Sequence, residues 1–304
     1  MNEFTTYLIL ILFFKSMVYV AKRLGFLDVN MGRSLYKFLF AIPLPILVFI
    51  SLADSKLETQ FLILPLIGGL LAIILVAVAF IIGKALKLDQ ETLGTLMTAA
   101  GITSTLSFAL PFIGVFYGQD ATRYLFLYDF GGAAVVWTFV YYISGLMGNK
   151  RGQKLSQSIK IFVKTPMLWA LIGGIIVSII GISLPEVLGS MSIRLGGFVN
   201  PVILIGIGIF LDMDFFKHKK NLSNIILGVF ITMGISVTLA YILTLIFGVS
   251  DVAQKVVLIS ALSPSGALTV PFCAEHKLNT EYASALVALP ILIAIILIPL
   301  LIAL

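Results

Sequence analysis

Long apolar runs separated by short polar loops fill almost the whole chain. A helix that crosses a bilayer needs about 17–25 consecutive apolar residues. The chain contains ten runs of that kind, which we number spans 1–10 in chain order. The pattern predicts an all-α polytopic membrane protein with ten transmembrane helices, at 4–21, 33–53, 61–83, 93–117, 122–147, 166–184, 193–211, 222–247, 253–274 and 282–304.

Two of these spans contain similar polar interruptions. Residues 103–112 of span 4 read TSTLSFALPF, and residues 263–272 of span 9 read SPSGALTVPF. Because proline lacks a backbone donor and clashes with the preceding turn, we expect neither span to be an uninterrupted helix. Broken helices at equivalent positions of two halves indicate the binding site of a secondary transporter.

The longest polar connector divides the chain into two sets of five spans. Five is an odd number, so the second set enters the membrane from the opposite face, and the likeness between the halves predicts an inverted repeat. Spans 2 and 7 are also alike, with PLPILVF at 43–49 and NPVILI at 200–205. We expect a first five-helix repeat at 1–147, a basic cytoplasmic connector at 148–165 and a second repeat at 166–304.

Composition and charge agree with a membrane protein. The chain is 60% hydrophobic and only 11% charged, whereas about a quarter of an ordinary soluble domain is charged. Of the 20 Lys and Arg residues, Lys15 lies within span 1, and fifteen of the others fall on the cytoplasmic side if both termini are outside. Only Lys56, Arg123, Arg194 and Lys255 then lie outside. The net charge of +6 is thus an insertion signal, and we expect no nucleic-acid partner.

Several motifs resemble the auxin efflux carrier family. They are Gly25-Phe26-Leu27, residues 39–49, Lys164-Thr165-Pro166 with Pro185, and residues 201–208. The resemblance implies the fold of the bile-acid and arsenite transporter superfamily: a scaffold from spans 1, 2, 6 and 7, a moving transport domain from spans 3–5 and 8–10, and broken spans 4 and 9 that cross. It also implies a prokaryotic carrier of small organic anions, with a homodimer through the scaffold. In one departure, the family's fourth span often has Asn-Thr-Gly where this chain has Ser104-Thr105-Leu106.

The two interruptions supply the candidate substrate site. Half-helices that begin near the prolines point free N–H groups and positive dipole ends at the membrane midplane, which suits an anion. Small hydroxyls beside them can bind a carboxylate, bind a cation, or satisfy the exposed backbone of the kinked helices. The candidate residues are Thr103, Ser104, Thr105, Ser107 and Pro111 in span 4, and Ser263, Pro264, Ser265, Thr269 and Pro271 in span 9.

Asn200 and the proline pair of span 2 are further candidates. Asn200 precedes Pro201 in the middle of span 7, so its amide either contacts substrate across the domain interface or caps the chain at the proline. Pro43 and Pro45 are expected to kink span 2 and shape the cavity.

Ionisable residues inside the membrane are functional candidates by default. Asp129 lies roughly 12 Å into span 5, at 1.5 Å per residue, and either carries a proton or Na⁺ or makes a structural bond between helices. Lys15 is expected to extend toward the cytoplasm. His276, at the end of span 9, is expected to be solvated, and His218 belongs to a basic loop that contacts anionic lipid.

The sequence predicts a transporter and no enzyme. It lacks the zinc, nucleophile-elbow and phosphate-loop motifs, and we expect no cofactor and no metal site. A channel and a non-transporting sensor are the alternatives to a carrier. A uniporter would expel an organic anion with the membrane potential, whereas H⁺ or Na⁺ symport would import it or another organic solute. The expected location is the cytoplasmic (inner) membrane, with the N-terminus and the C-terminus outside.

Overall fold

The computed structural model of the chain describes residues 17–18, 20–21, 24–54, 59–148, 155–210, 222–249 and 251–303. Within these residues the ordered elements are helices. They are α1 (Val29–Ala41), α2 (Pro43–Ala53), α3 (Thr59–Ala85), α4 (Gln90–Gly101), α5 (Leu110–Phe116), α6 (Thr122–Val135), α7 (Tyr141–Met147), α8 (Leu155–Val163), α9 (Pro166–Ile180), α10 (Glu186–Phe210), α11 (Leu222–Val229), α12 (Ser236–Ile246), α13 (Asp251–Leu262), α14 (Thr269–Glu275) and α15 (Thr280–Ala303).

Short turns of other helix types connect some of these elements. The π-helical turns are Thr105–Ala109, Val136–Val140 and Phe230–Ile235, and Gln119–Ala121 forms a 3₁₀ turn. The chain is an all-helical integral membrane protein. Within the described residues, five stretches are long and apolar enough to cross a membrane: Ser34–Ala53, Ile63–Ala85, Gln119–Met147, Leu222–Ile246 and Thr280–Ile302. They fall in predicted spans 2, 3, 5, 8 and 10, and the other predicted spans stay predictions.

Several predictions concern residues outside the described part of the chain. Most of span 1 lies there, including Lys15, and so does the basic loop with His218. The prediction for His276 is wrong, because its side chain is fully buried. It lies beneath the Tyr141 ring, with ring centroids 4.8 Å apart, and Gly148 packs directly on its carbonyl group.

Local sequence explains where the helices begin and end. Span 2 is divided at Ile42, since α1 ends one residue before it and Pro43 is the first residue of α2. Asp89 caps α4 by accepting a hydrogen bond from the Thr92 N–H at 2.9 Å. That bond holds the pKa of Asp89 below its usual value. Helix α9 ends at Gly181, which has the left-handed conformation (φ 75°) that favours glycine.

Glycine brings α3 and α6 into backbone contact beside Asp129. A Cβ atom at Gly131 would overlap the Pro65 carbonyl, and one at Gly68 would overlap the Tyr128 carbonyl. Small residues allow such close approach between helices in a membrane, where packing replaces the hydrophobic effect. The pair therefore forms a tightly packed support for the middle of α6.

Candidate functional site

The first interruption lies between α4 and α5. Helix α4 ends at Gly101, and Ile102 is extended (φ −109°, ψ 103°). A π-helical turn then occupies Thr105–Ala109. Pro111 is the second residue of α5 and has no N–H to donate to the Ser107 carbonyl. Regular α-helical bonding therefore cannot extend back from α5 through this turn.

The second interruption lies between α13 and α14. Helix α13 ends at Leu262 and α14 begins at Thr269, so residues 263–268 form a non-helical segment. Pro271 is the third residue of α14, a position where its missing N–H breaks no helical bond. Both prolines thus lie inside the helices that follow the interruptions.

The two non-helical segments bind each other through their backbones. Thr103 and Ser265 form an antiparallel β-bridge. The Ser104 N–H donates to the Pro264 carbonyl at 2.8 Å, and the Gly266 N–H donates to the Ile102 carbonyl, also at 2.8 Å. Groups freed by the interruptions are therefore partly satisfied by each other, as an apolar environment requires.

A side-chain bond adds to this pairing. The Ser265 hydroxyl donates to the Ala99 carbonyl at 3.0 Å. Ala99 lies in the last turn of α4, where carbonyl groups have no partner within the helix. The second interruption thus provides a hydrogen-bond donor for a carbonyl group at the end of α4, the helix that precedes the first interruption.

A cavity of about 1140 Å³ borders the paired segments. One wall is formed by α1, α2, α9 and the end of α10, and the other by α3, α6, α14, α15 and the first interruption. Among the described residues, its ionisable lining groups other than tyrosine are Lys37, Asp129 and Glu281. Most of the remaining surface is apolar or aromatic, including Tyr36, Phe40, Phe126, Phe130, Trp137 and Phe162.

The predicted site residues divide into two groups around this cavity. Those of span 4 line it, together with Asp129, whereas most of those of span 9 are buried behind its wall. The lining residues are Thr103, Ser104, Thr105, Ser107, Asp129 and Pro271; the residues behind the wall are Ser263, Pro264, Ser265, Thr269 and Pro111.

Asn200 lies away from the cavity lining. It faces α5, where its Nδ2 atom would lie 3.1 Å from a Cβ atom built at Gly114. Its Oδ1 atom is buried and has no hydrogen-bond partner among the described residues. It therefore does not cap the helix at Pro201, which lies within the continuous helix α10.

Asp129 contacts the start of the broken helix. The Thr105 hydroxyl donates to its Oδ1 atom. Four elements near it in the fold (α2, α5, α9 and the turn at Thr105–Ala109) contain no ionisable residue. Helix α3 also packs on α6, and its one ionisable residue, Lys84, lies in its last turn. In the described part of the chain, the Asp129 carboxyl thus has one hydrogen-bond partner and no adjacent cation.

The aromatic wall was missed by sequence reasoning. Phe40 and Trp137, for example, lie in apolar spans. In such spans an aromatic side chain can face lipid, the protein core or a cavity, and the sequence does not distinguish these environments. Only the relative positions of α1, α6 and α8 decide which of them meet. Lys37 carries a weak signal, since it is a charge within the N-terminal part of span 2.

An all-helical, apolar protein with two interrupted helices beside a large cavity has the form of a membrane transport protein. The family described as "Membrane transport protein" matches residues 4–161. The chain therefore belongs to this family, which is that of the auxin efflux carriers.

A curated relative extends the similarity to nearly the whole chain. An uncharacterized transporter of Methanothermobacter thermautotrophicus is 22% identical over 284 residues, which cover 93% of this chain and 92% of that protein. The similarity therefore includes both interruptions, although the family match itself covers mainly the first half.

Proposed function

We propose that the protein is a secondary transporter that moves a small organic anion across the cytoplasmic membrane by alternating access. The observation that carries the proposal is the pairing of two interrupted helices at the wall of one large cavity. Such interruptions are the sites at which secondary transporters bind substrate and ions. No comparable arrangement is needed for a packed structural bundle, because each interruption costs helical hydrogen bonds.

An anion fits the polar end of the cavity. The N–H groups at the start of a helix lack partners within it, and the turn at Thr105–Ala109 begins at the cavity wall. The hydroxyls of Ser104 and Ser107 stand beside it, and both residues are partly exposed. The aromatic wall suits the organic part of the substrate, since ligand pockets are mostly apolar with few polar groups.

The cavity also fits the proposed division into two domains. One of its walls comes from helices that we assign to a scaffold, namely α1, α2, α9 and α10. The other comes from the proposed transport domain. In this proposal the ten spans form two inverted repeats, 1–147 and 166–304, joined by the connector at 148–165, and spans 4 and 9 are the crossing broken helices. A homodimer would form through the scaffold.

In the proposed orientation, the cavity extends to the side that the charge pattern assigns to the cytoplasm. Phe162 and Thr165 belong to the basic connector, whereas Ala274 and Glu281 flank the loop between spans 9 and 10. All four line the cavity. With both termini outside, as proposed, we assign this arrangement to an inward-open state.

A coupled symporter is the second candidate, and Asp129 favours it. Its carboxyl lies at the same helix start that would bind the anion, so two negative charges would compete there. A proton or Na⁺ on Asp129 removes this conflict. In a uniporter, by contrast, the Thr105–Asp129 bond is only structural.

Transport into liposomes tests the proposal. Purified protein is expected to show saturable uptake and counterflow of a labelled mono- or dicarboxylate, and a thermal-shift screen of such acids with and without Na⁺ selects the substrate. A channel would pass single-channel current, and a sensor would move nothing. Absence of counterflow with every acid that stabilises the protein would refute the proposal.

Substitution of the two prolines tests the interruptions themselves. Pro111→Ala with Pro271→Ala restores backbone donors, so that α5 and α14 can extend into the interruptions. We expect transport to be lost while insertion into the membrane is retained. The matched control is Pro290→Ala with Pro299→Ala, since both prolines lie inside the continuous helix α15. Wild-type flux in the first double variant would remove the interruptions from the mechanism.

A further inference from the structure

Helix α10 has two different neighbours along its length. Near its C-terminal end, Ile209 lines the cavity. Toward its N-terminal end, it packs against α5 and the 3₁₀ turn at Gln119–Ala121. Asn200 and Ile209 are nine residues apart in the sequence, roughly 14 Å at 1.5 Å per residue. The C-terminal end of α10, at Ile209, therefore borders the cavity, whereas its part around Asn200 is packed against α5 and the 3₁₀ turn.

Gln119 fills the space left by a glycine of α10. A Cβ atom at Gly196 would lie 2.6 Å from both Nε2 and Oε1 of Gln119. The neighbouring Gly197 faces open space, with nothing within 4 Å of its added Cβ atom. The side chain of Gln119 thus lies flat on one face of α10, and only Gly196 permits it.

One helical turn further along, Asn200 continues the same contact. Its Nδ2 atom would be 3.1 Å from a Cβ atom at Gly114 of α5. The two facing carboxamides belong to Gln119 and Asn200. The Oδ1 atom of Asn200 is buried and has no hydrogen-bond partner among the described residues. The observed contact here is thus one of shape, made by two carboxamides against two glycines.

We propose that Gly114, Gln119, Gly196 and Asn200 form a seal that closes the substrate route on the side opposite the cavity mouth, with Gln119 as the latch. This inference rests on the proposed alternating access. In that cycle the transport domain, with α5, must leave the scaffold helix α10 to open the other side. A contact of shape between α5 and α10 can form and separate in every transport cycle, because few hydrogen bonds have to be broken.

The seal also assigns a state-dependent role to Asn200. In the closed seal its carbonyl oxygen is buried against α5, away from the cavity. When α5 separates, the same oxygen faces the opened route and becomes accessible to solvent. Asn200 is then a positioning residue of the seal, and Gly196 sets the distance at which the two helices meet.

Labelling of a reporter cysteine tests the seal without any substrate. The only cysteine, Cys273, is fully buried, so Asn200→Cys reports alone to a membrane-impermeant maleimide. Gly196→Val displaces Gln119 and is expected to raise the labelling rate at least tenfold, whereas Gly197→Val should leave it unchanged. Equal rates in the two valine variants, or fast labelling without either, would overturn the proposal.

Cross-linking tests whether the seal opens during transport. Gln119→Cys with Gly196→Cys places two thiols within reach of a short reducible bis-methanethiosulfonate. We expect cross-linking to abolish counterflow, and reduction to restore it, while in each single cysteine variant the reagent leaves counterflow at its level before treatment. Full counterflow by the cross-linked protein, or no cross-link in the membrane, would refute the seal. If no variant transports any anion, only the proposed function fails, because the labelling arm still reports on the seal.

Discussion

Substitution of Ser265 measures how much the hydrogen bonding between the two interrupted segments contributes to the stability of the fold. The Ser265 side chain is 2% exposed, and its hydroxyl donates to the Ala99 carbonyl at 3.0 Å. That carbonyl belongs to the last turn of α4, which ends at Gly101, so it has no partner within the helix. Ser265→Ala leaves it buried without this side-chain partner.

The expected loss follows from the burial of that carbonyl. An acceptor left unsatisfied inside the protein costs about 1–3 kcal/mol, which for a chain of this length corresponds to a melting temperature lower by roughly 2–5 °C. Ser260→Ala is the matched control. Ser260 is fully buried too, but its hydroxyl donates at 2.7 Å to the Val256 carbonyl within α13. Bonds of that type slightly destabilise helices, so we expect almost no change.

Thermal unfolding of the purified protein in detergent measures both variants. Expression in the membrane and elution as a single species serve as controls for insertion. If Ser265→Ala and Ser260→Ala melt at the same temperature, the bond between the segments contributes no net stability. The pairing at Thr103 and Ser265 would then depend on backbone bonds alone.

Other substitutions test helix contact, coupling and capping. Gly131→Ala is expected to destabilise the protein by about 1–3 kcal/mol through overpacking and so to lower its melting temperature. Gly132→Ala should not, because the nearest atom lies 3.8 Å from an added Cβ atom. Equal melting temperatures of the two variants would contradict the contact between α3 and α6. Asp129→Asn should remove any dependence of liposome transport on pH or Na⁺, and unchanged coupling would leave Asp129 a structural role. Because the lowered pKa of Asp89 stabilises the fold above the ordinary carboxyl pKa, this stability is lost as the pH falls through the lowered value. Asp89→Asn, which caps almost equally well, should not show that acid loss; identical acid curves would argue against the cap.

The transmembrane helices and the approximate sites of interruption follow from the sequence. Hydropathy alone predicts spans 2–10, because lipid demands long apolar helices. Proline and small polar residues indicate where regular helix fails. The prolines do not mark the interruptions themselves, however. Pro111 and Pro271 lie in the first turns of α5 and α14, where a missing N–H is harmless, so the interruption begins several residues earlier.

The facing of individual side chains could not be predicted. Ser107 and Ser265 are the same residue type and lie two positions apart when the two interruptions are aligned on Pro111 and Pro271. One of them lines the cavity and the other is buried. The difference in their exposure depends on how the two segments pair. The Ser265–Ala99 bond, for example, joins residues that are 166 positions apart in the sequence. The prediction that His276 is solvated was wrong for a similar reason. Its burial depends on Tyr141 and Gly148, which belong to the other half of the chain.

The unequal burial of the two interruptions implies a division of labour between them. The hydroxyls of span 9 are buried under the cavity wall, and Ser265 donates to a carbonyl at the end of α4, so that we expect this segment to stay fixed against α4. The hydroxyls of Ser104 and Ser107 remain partly exposed to the cavity. A polar group cannot both satisfy a buried carbonyl and exchange ligands rapidly, because each release would leave that carbonyl bare. In the proposed transporter, selectivity for the anion therefore resides in span 4, and span 9 contributes mainly the backbone at Gly266.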